Sequence, residues 1–564
     1  MDDVIASESR AIAKAVAGAT MVSVLARAAE NHPDVPAQIW EENGKRRLRS
    51  WREYRNEVAT TTLGLMELGF KVGDMAVIIA PTGPEHAIAD MALVHAGAVP
   101  ISVYDTMSPQ QIADLVKLSG AQIAFIDTAR RANELRSMPE LRRALKWVVL
   151  FDMDDAPFEC AISWRALQER GRSHPRPEEF EERASRVRPD NLLTVVCTSG
   201  TTGTPKAVKF THHCVLWQIE ACRRRLALEP GEVLLSHMPM AHGAERRIVH
   251  WESIYSAASV YYKSANDEME DVLVAARPHL FFATPRVWEK LREVMVAKLE
   301  HAAPHSPSGS LLKSTGLDRC RAPLIGGAPS GQDLLDFLRA HGLPLSNAWG
   351  STEAGLAVTW WMPGGSPPGT VGVPIPGREV QIADDGEILV RDAGIAAGYL
   401  NDEAATREVF TEDGWVRMGD IAEINEAGAI KIVGRKKDLI ITRGGKNISP
   451  TYVEAILEES ALISKACVVG DGERYLVALL LLSALARVDS TIIDKIRKAV
   501  ADANGRLSRP EQIKRFFVVD GVWSVSSGEF NQMLKMNRKF INEKYREIIT
   551  NMYEGKVGSE PIQG

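Results

Sequence analysis

Short apolar runs alternate with well-marked helices along the first part of the chain, and this alternation constrains the fold most. Capping boxes at Ser50 and Ser108, each with a Glu or Gln three residues later, mark two helix starts. Apolar runs at 75–80, 99–103 and 122–127 are typical of buried strands. Because parallel strands need a crossover helix between them, the pattern predicts βαβ units and a largely parallel sheet.

The same alternation returns between residues 191 and 350. There, several predicted strands end in small, polar or glycine-containing loops, at 239–247, 284–288, 326–330 and 349–353. In an open α/β sheet, ligands bind beyond the carboxyl ends of the strands, so we expect these loops to form the binding edge. The intervening region 129–190 is charged, and we interpret it as surface helices and loops.

The pattern changes again after a cluster of Pro and Gly residues at 362–369. Short β runs between there and 434 predict a small antiparallel unit attached to the main sheet. From 438 onward the pattern is α+β, with helices expected near 450–460, 488–503 and 530–548. The fold class is therefore α/β, with a large N-terminal domain over 1–434 and a small α+β domain over 438–564.

Composition narrows the function. At 564 residues the chain is too long for one core, and its net charge of −6 argues against nucleic acid as the main partner. The six cysteines form no C-x-x-C pair, which favours a reducing, cytoplasmic compartment without a zinc site or disulfide framework. We expect neither a signal peptide nor a membrane-spanning stretch. Peripheral membrane contact and a homodimer both stay open.

One loop has the composition of a polyanion cradle. It reads Thr198, Ser199, Gly200, Thr201, Thr202, Gly203, Thr204, Pro205 and Lys206. Glycines let backbone N–H groups approach a phosphate, while hydroxyls and a lysine donate to its oxygens. The stretch is not a P-loop, because its lysine follows Pro205 and precedes Ala207. Taken alone, an ordinary polar turn between strands remains the alternative.

Together with four later segments, this loop resembles the adenylate-forming superfamily, which includes acyl-CoA synthetases, luciferases and peptide-synthetase adenylation domains. The later segments are Trp349–Glu353, Gly414–Asp420, Gly434–Asp438 and Gly444–Pro450, in the family's order. The resemblance covers nearly the whole chain. Ala241–Arg246 and the last two segments look most like the long-chain fatty acyl-CoA ligase branch.

The resemblance implies an ATP- and Mg²⁺-dependent fatty acyl-CoA ligase. A fatty acid carboxylate would attack ATP to give acyl-AMP and pyrophosphate, and the thiol of coenzyme A would then displace AMP. Two alternatives stay open: an acyl-AMP ligase that loads a carrier protein, and a non-catalytic regulatory protein that binds nucleotide. The acyl chain length is also open.

The resemblance also implies roles for single residues. The 198–206 loop would hold the β- and γ-phosphates. Thr352 would donate to the α-phosphate, Glu353 would ligate Mg²⁺, and His242 would lie between the acyl carboxylate and the CoA channel. The remaining nucleotide contacts would be Gly327, Ala328 and Pro329 along the adenosine, Trp349 at the adenine, Gly350 and Ser351 beside it, Asp420 at the ribose hydroxyls, and Arg435 at the ribose or phosphate.

Each of these residues has a simpler interpretation on its own. Trp349 could be a core residue, Glu353 a charge at a helix start, and Asp420 a turn residue. Their joint occurrence in the family's order favours the functional roles. His242 rests on the resemblance least securely, because a lone histidine often only packs or hydrogen-bonds.

The resemblance implies a mobile C-terminal domain that reorients between the two half-reactions and brings a lysine to the acyl carboxylate and the α-phosphate. Lys535 would be the catalytic lysine, with Lys539 as the alternative, because Leu534–Arg538 matches a Leu-Lys-x-x-Arg variant of the family pattern. Residues 435–437 would form the hinge, centred on Lys437. Gly444 would line the tunnel for the pantetheine arm of coenzyme A.

Overall fold

The computed structural model describes residues 2–152, 158–198, 206–264, 266–300, 308–443, 447–483, 486, 491–530 and 536–557. Within this part of the chain, no helix is both long and apolar enough to cross a membrane.

The N-terminal region contains a five-stranded, all-parallel sheet with strand order β4-β3-β5-β6-β7. In chain order its elements are α1 (Asp2–Ala15), α2 (Met21–Asn31), β1 (Pro36–Glu42), β2 (Lys45–Ser50), α3 (Trp51–Glu67), β3 (Met75–Ile79), α4 (Pro84–His95), β4 (Val99–Ser102), α5 (Pro109–Ser119), β5 (Ile123–Ile126), α6 (Ala129–Arg136), α7 (Pro139–Ala144), β6 (Trp147–Leu150), β7 (Ala161–Ser163), α8 (Trp164–Arg172) and α9 (Glu179–Ala184). Both predicted capping boxes are present, at Ser50 and Ser108.

The interpretation of 129–190 as helices and loops alone is wrong. Strands β6 and β7 lie in this region and extend the parallel sheet. Each has only three or four residues, all or nearly all buried, between strongly charged helices. These short apolar runs were not recognised because most of the surrounding residues in this region are charged.

A second, seven-stranded sheet has the order β14-β13-β12-β10-β11-β1-β2, and only β2 runs antiparallel to its neighbour. The elements that follow α9 are β8 (Leu192–Thr198), β9 (Lys206–Thr211), α10 (His212–Arg223), β10 (Val233–Ser236), α11 (Gly243–Glu245), a π-helical turn (Arg246–Trp251), α12 (Glu252–Ser256), β11 (Ser259–Tyr262), α13 (Met269–Ala276), β12 (Leu280–Ala283), α14 (Pro285–Glu300), α15 (Ser308–Ser314), β13 (Ala322–Ile325), α16 (Gln332–Ala340) and β14 (Ser346–Asn347).

Strands β10, β12, β13 and β14 are neighbours and parallel, so the loops after them leave the same edge of the sheet. This is the arrangement expected from the sequence. The apolar run at 343–348 also predicts a strand before the 349–353 loop, but β14 is shorter and covers only Ser346–Asn347. Strands β8 and β9 form a separate antiparallel hairpin, which the sequence pattern did not predict.

The predicted antiparallel unit is a four-stranded sheet with the order β15-β16-β17-β18. Its elements are β15 (Glu379–Ile382), β16 (Glu387–Arg391), α17 (Glu403–Val409), β17 (Val416–Ile424) and β18 (Ile430–Arg435).

The C-terminal region is α+β, as predicted. Its elements are a 3₁₀ turn (Lys436–Asp438), β19 (Ile440–Ile441), β20 (Asn447–Ile448), α18 (Pro450–Glu458), β21 (Ile463–Val469), β22 (Leu476–Leu482), α19 (Ile492–Asn504), β23 (Ile513–Val519), α20 (Arg538–Lys544) and α21 (Arg546–Tyr553). The helix expected from 530 begins only at Arg538, where the Asn537 side chain caps it. A three-stranded sheet, β21-β22-β23, carries a core of its own.

Candidate active site

The loop after β14 folds back on itself and carries five predicted residues, Trp349 to Glu353. The Trp349 carbonyl accepts from the Val358 amide at 2.8 Å, and the Ser351 carbonyl accepts from the Leu356 amide at 2.8 Å. A Cβ on Gly350 would lie 2.7 Å from the Leu356 carbonyl oxygen, so this turn closes only around glycine. The result is a compact turn, called here the 349–358 turn, with Thr352 and Glu353 partly exposed.

A fully buried arginine fixes the 349–358 turn from behind. Arg378 donates to the Ala357 carbonyl at 2.6 Å and to the Ala354 carbonyl at 2.9 Å, and it forms an ion pair with Asp392. Gln218 also donates to the Ala354 carbonyl, at 3.1 Å. The sequence analysis missed Arg378 and Gln218, because nothing in the sequence marks a polar residue that serves a distant carbonyl.

Leu356 joins this turn to the loop after β10. Its φ is +84°, in the left-handed region that favours glycine and is strained for a branched side chain. The side chain lies against Gly243, where a Cβ would come within 2.3 Å of the Leu356 Cδ2 atom. His242 and the 349–358 turn are therefore neighbours, as their proposed roles require.

His242 itself caps the short helix α11. Its Nδ1 accepts from the Ala244 amide at 3.1 Å. A neutral imidazole that accepts at Nδ1 carries its proton on Nε2, which makes Nε2 a donor. The ring is partly exposed. This arrangement suits a group that donates a hydrogen bond to an acyl oxygen.

The hairpin β8-β9 carries the two ends of the predicted phosphate loop. Thr198 and Lys206 are paired across the hairpin. The residues between them, Ser199, Gly200, Thr201, Thr202, Gly203, Thr204 and Pro205, lie outside the described residues. The Lys206 ammonium lies 4.8 Å from the centroid of the Tyr399 ring, and the Tyr399 hydroxyl donates to Glu353 Oε1 at 2.7 Å. The base of the loop and Glu353 thus meet at one tyrosine.

Asp420 and Arg435 face each other across β17 and β18. Arg435 Nε lies 2.9 Å from Asp420 Oδ1, and Arg435 Nη1 donates to the Met418 carbonyl at 3.1 Å. Asp420 is buried and Arg435 is exposed. The Ser351 hydroxyl lies 3.8 Å from the Met418 sulfur, and Trp349 packs on the same small core. The structure therefore places this pair beside the 349–358 turn.

The predicted adenosine contacts lie next to this turn. Gly327, Ala328 and Pro329 follow β13 and are exposed, and Gly327 has a φ of +85°. A Cβ on the preceding Gly326 would lie 2.5 Å from the Ala348 carbonyl oxygen. The glycines thus let this loop lie directly against the residue before Trp349.

The C-terminal predictions fall partly outside the described residues. Lys535 and Gly444 both lie there. Lys539 is exposed near the start of α20, and Lys437 lies in the exposed 3₁₀ turn after β18. Its neighbour Lys436 pairs with Asp385 at 2.6 Å and Glu387 at 2.9 Å, both on the four-stranded unit.

The donor set around Glu353 fits Mg²⁺. Among the described residues, no group of three or more His, Cys, Asp or Glu side chains is arranged to hold a metal ion. Mg²⁺ is commonly bound through one or two carboxylates together with substrate phosphates and several waters. Glu353 would supply one hard oxygen ligand of this kind, and it shares the Tyr399 side chain with Lys206 at the end of the predicted phosphate loop.

Comparison with known proteins shows the family of the chain. A family model described as AMP-binding enzyme matches residues 25–400, and a second, described as AMP-binding enzyme C-terminal domain, matches residues 437–557. The long-chain-fatty-acid–CoA ligase FadD15 of Mycobacterium bovis is 31% identical over 562 aligned residues, which cover 89% of this chain and 91% of that protein. The long-chain-fatty-acid–CoA ligase heimdall of Drosophila melanogaster is 25% identical, covering 97% and 96%.

The fold also matches solved structures. The A domain of carboxylic acid reductase from Segniliparus rugosus, in complex with AMP and a co-purified carboxylic acid, superposes with a TM-score of 0.78 at 18% identity. The match covers 99% of this chain and 98% of that one, which confirms the predicted fold class. The chain belongs to the family of AMP-binding enzymes and is an adenylate-forming ligase of the acid–thiol class.

Proposed function

We propose that this enzyme is an ATP- and Mg²⁺-dependent fatty acyl-CoA ligase. The observation that carries the proposal is the meeting of Lys206 and Glu353 at Tyr399. One tyrosine thus contacts both a cation from the base of the phosphate loop and a carboxylate suited to a phosphate-bound metal. The names of the relatives in Mycobacterium bovis and Drosophila melanogaster support the fatty acid and CoA as substrates.

In the first half-reaction, a carboxylate oxygen of the acid attacks the α-phosphorus of ATP. The bond from this phosphorus to the bridging oxygen breaks, and pyrophosphate leaves. Lys206 and Thr352 would donate to phosphate oxygens, and Lys535 would stabilise the charge that develops. A Mg²⁺ ion held by Glu353 would supply further charge neutralisation. Such transfers depend on positioning and charge stabilisation rather than on a protein nucleophile.

In the second half-reaction, the CoA sulfur attacks the acyl carbonyl carbon of acyl-AMP. The carbon–oxygen bond to the phosphate breaks and AMP leaves. Asp420 and Arg435 would keep the ribose in place, while His242 would donate to the acyl oxygen. Residues 1–434 and 438–564 would act as two domains, with Lys437 in the hinge and Gly444 in the pantetheine tunnel.

The direct test is AMP release measured with a panel of acids from acetate to palmitate, together with an aryl acid. We expect release that needs ATP, Mg²⁺ and CoA, with the highest kcat/KM for medium- to long-chain acids. A parallel assay replaces CoA with a holo-carrier protein, and we expect no thioester there. Glu353→Gln serves as the inactive control. The absence of AMP with every acid would overturn the proposal.

A further inference from the structure

A short segment at 396–400 connects the phosphate hairpin to the 349–358 turn. Its Leu400 amide donates to the Ala207 carbonyl at 2.8 Å, and its Gly398 carbonyl accepts from the Lys209 amide at 2.9 Å. At the start of the segment, the Ala396 amide donates to the Glu353 carbonyl at 3.0 Å. The segment therefore runs as an added strand along β9 and is anchored to the backbone of Glu353.

Tyr399 is the residue of this segment that points at the site. The side chain is 4% exposed, and its hydroxyl donates to Glu353 Oε1 at 2.7 Å. The centroid of its ring lies 4.8 Å from the Lys206 ammonium. Its backbone amide donates to the Thr406 hydroxyl at 3.0 Å. Gly398 makes this fit, since its φ is +91° and a Cβ there would lie 2.7 Å from Thr406 Cγ2.

The Tyr399 hydroxyl directs its hydrogen bond at one oxygen of the Glu353 carboxylate. A carboxylate that receives a hydrogen bond on one oxygen keeps its other oxygen for a metal. Partners of this kind fix the orientation of metal ligands, and their loss typically costs about 10- to 100-fold in metal affinity or activity.

We propose that Tyr399 is a positioning residue for the Mg²⁺–nucleotide complex. Its hydroxyl orients Glu353, and its ring supports the Lys206 ammonium beside the phosphates. The inference rests on the proposed function, because it needs ATP and Mg²⁺ to bind at this place.

The chain offers a matched control. Tyr255 donates to Glu220 Oε2 at 3.0 Å, and the Arg27 guanidinium lies over its ring at 5.4 Å. These three residues repeat the combination of a tyrosine, a carboxylate and a cation. They lie near the amino-terminal ends of β10 and β11, where the Gly231 amide donates to the Ala257 carbonyl. That edge is opposite to the candidate site.

The test is calorimetric titration with ATP, in the presence of Mg²⁺ and in the presence of a chelator. In the wild type, Mg²⁺ should tighten ATP binding. Tyr399→Phe keeps the ring and removes only the hydroxyl, so we expect the gain from Mg²⁺ to shrink by about 10-fold, with Mg²⁺-free binding unchanged. Tyr255→Phe should bind like the wild type under both conditions.

Two results would overturn the inference alone. One is an undiminished gain from Mg²⁺ in Tyr399→Phe, and the other is an equal loss with and without Mg²⁺, which would indicate a merely structural role. Failure of the wild type to bind ATP at all would instead overturn the proposed function. Thermal unfolding of each variant establishes that the titrated protein is folded.

Discussion

Glu245 is a carboxylate buried behind the loop that carries His242. It is 2% exposed, and its Oε2 accepts from the Met238 amide at 3.3 Å. Burial raises the pKa of Glu245 to about 8, although the hydrogen bonds it accepts work in the opposite direction. Near neutral pH this side chain is therefore mostly protonated in the folded protein.

Glu245→Gln should make the free energy of unfolding less dependent on pH. The folded-state pKa of about 8 lies above the ordinary 4.5. The stability that the protonated Glu245 side chain gives the folded protein is therefore fully present below pH 4.5 and is lost as the pH rises toward 8. The free energy of unfolding of the wild type should fall by about 4 kcal/mol over this range. Glutamine does not ionise, so the Glu245→Gln variant should not show this fall. Chemical unfolding at pH 5 and pH 8.5 measures the difference. Glu403→Gln, at an exposed site, is the control.

Parallel pH profiles for the wild type and Glu245→Gln would contradict this assignment. They would mean that Glu245 is ionised in the folded protein, with a counter-charge that the described residues do not supply.

Individual site residues were predictable from the sequence to different degrees. Asp420 and Arg435 stand out because each lies in a recognisable segment, and the structure places them 2.9 Å apart. Tyr399 did not stand out, because its partners Lys206 and Glu353 are far from it in sequence. The burial of Glu245 was not predictable either, because the sequence identifies a glutamate but not how much of its side chain is exposed to solvent.

At the scale of elements, Arg538 ties the start of α20 to α18. Its Nη1 lies 2.6 Å from Glu454 Oε1, and its Nη2 contacts the second oxygen of the same carboxylate. Glu454 also accepts from the Val468 amide at 2.8 Å. Burial opposes the charge, but the Glu454 carboxylate outweighs it and raises the pKa of Arg538. The arginine of the Leu-Lys-x-x-Arg variant therefore anchors the start of α20 to α18.

Arg538→Met should destabilise the C-terminal domain by about 3 kcal/mol, because it leaves the buried Glu454 carboxylate without its arginine counter-charge. Urea unfolding followed by hydrogen exchange over 447–557 measures the effect and its location. Arg506→Met is the matched control, since its pair with Glu459 in the same domain is 55% and 29% exposed and should contribute less than about 1 kcal/mol. Equal losses in the two variants would contradict the anchoring role.

Elements with strong end signals were the ones that the sequence predicted well. The helices after Ser50 and Ser108 begin where their capping boxes place them. Strands β6, β7 and β14 were missed or misplaced, because two to four residues carry too little periodicity. The β8-β9 hairpin went unrecognised because its connection is the long phosphate loop, which lacks the two-residue turn that marks a hairpin.

For the whole molecule, the architecture was predictable because the order of strands, helices and loop segments along the chain carries more information than any single motif. The loops at 326–329 and 349–353 follow neighbouring parallel strands of one sheet, so they leave it at the same edge. The two ends of the 198–206 segment lie on the separate β8-β9 hairpin, and Tyr399 links that hairpin to Glu353. The choice of acid was not predictable, since side chains from separate elements would line an acyl pocket. The division at 435–437 stays a prediction.

The most direct test of the account is fatty-acid-dependent exchange of labelled pyrophosphate into ATP, measured without CoA. We expect exchange in the wild type that requires both the acid and Mg²⁺, because adenylation is reversible and separable from thioester formation. Lys535→Ala should abolish exchange while ATP still binds, and Lys539→Ala should retain it. An exchange rate that does not respond to any acid, or that is unchanged in Lys535→Ala, would contradict the account.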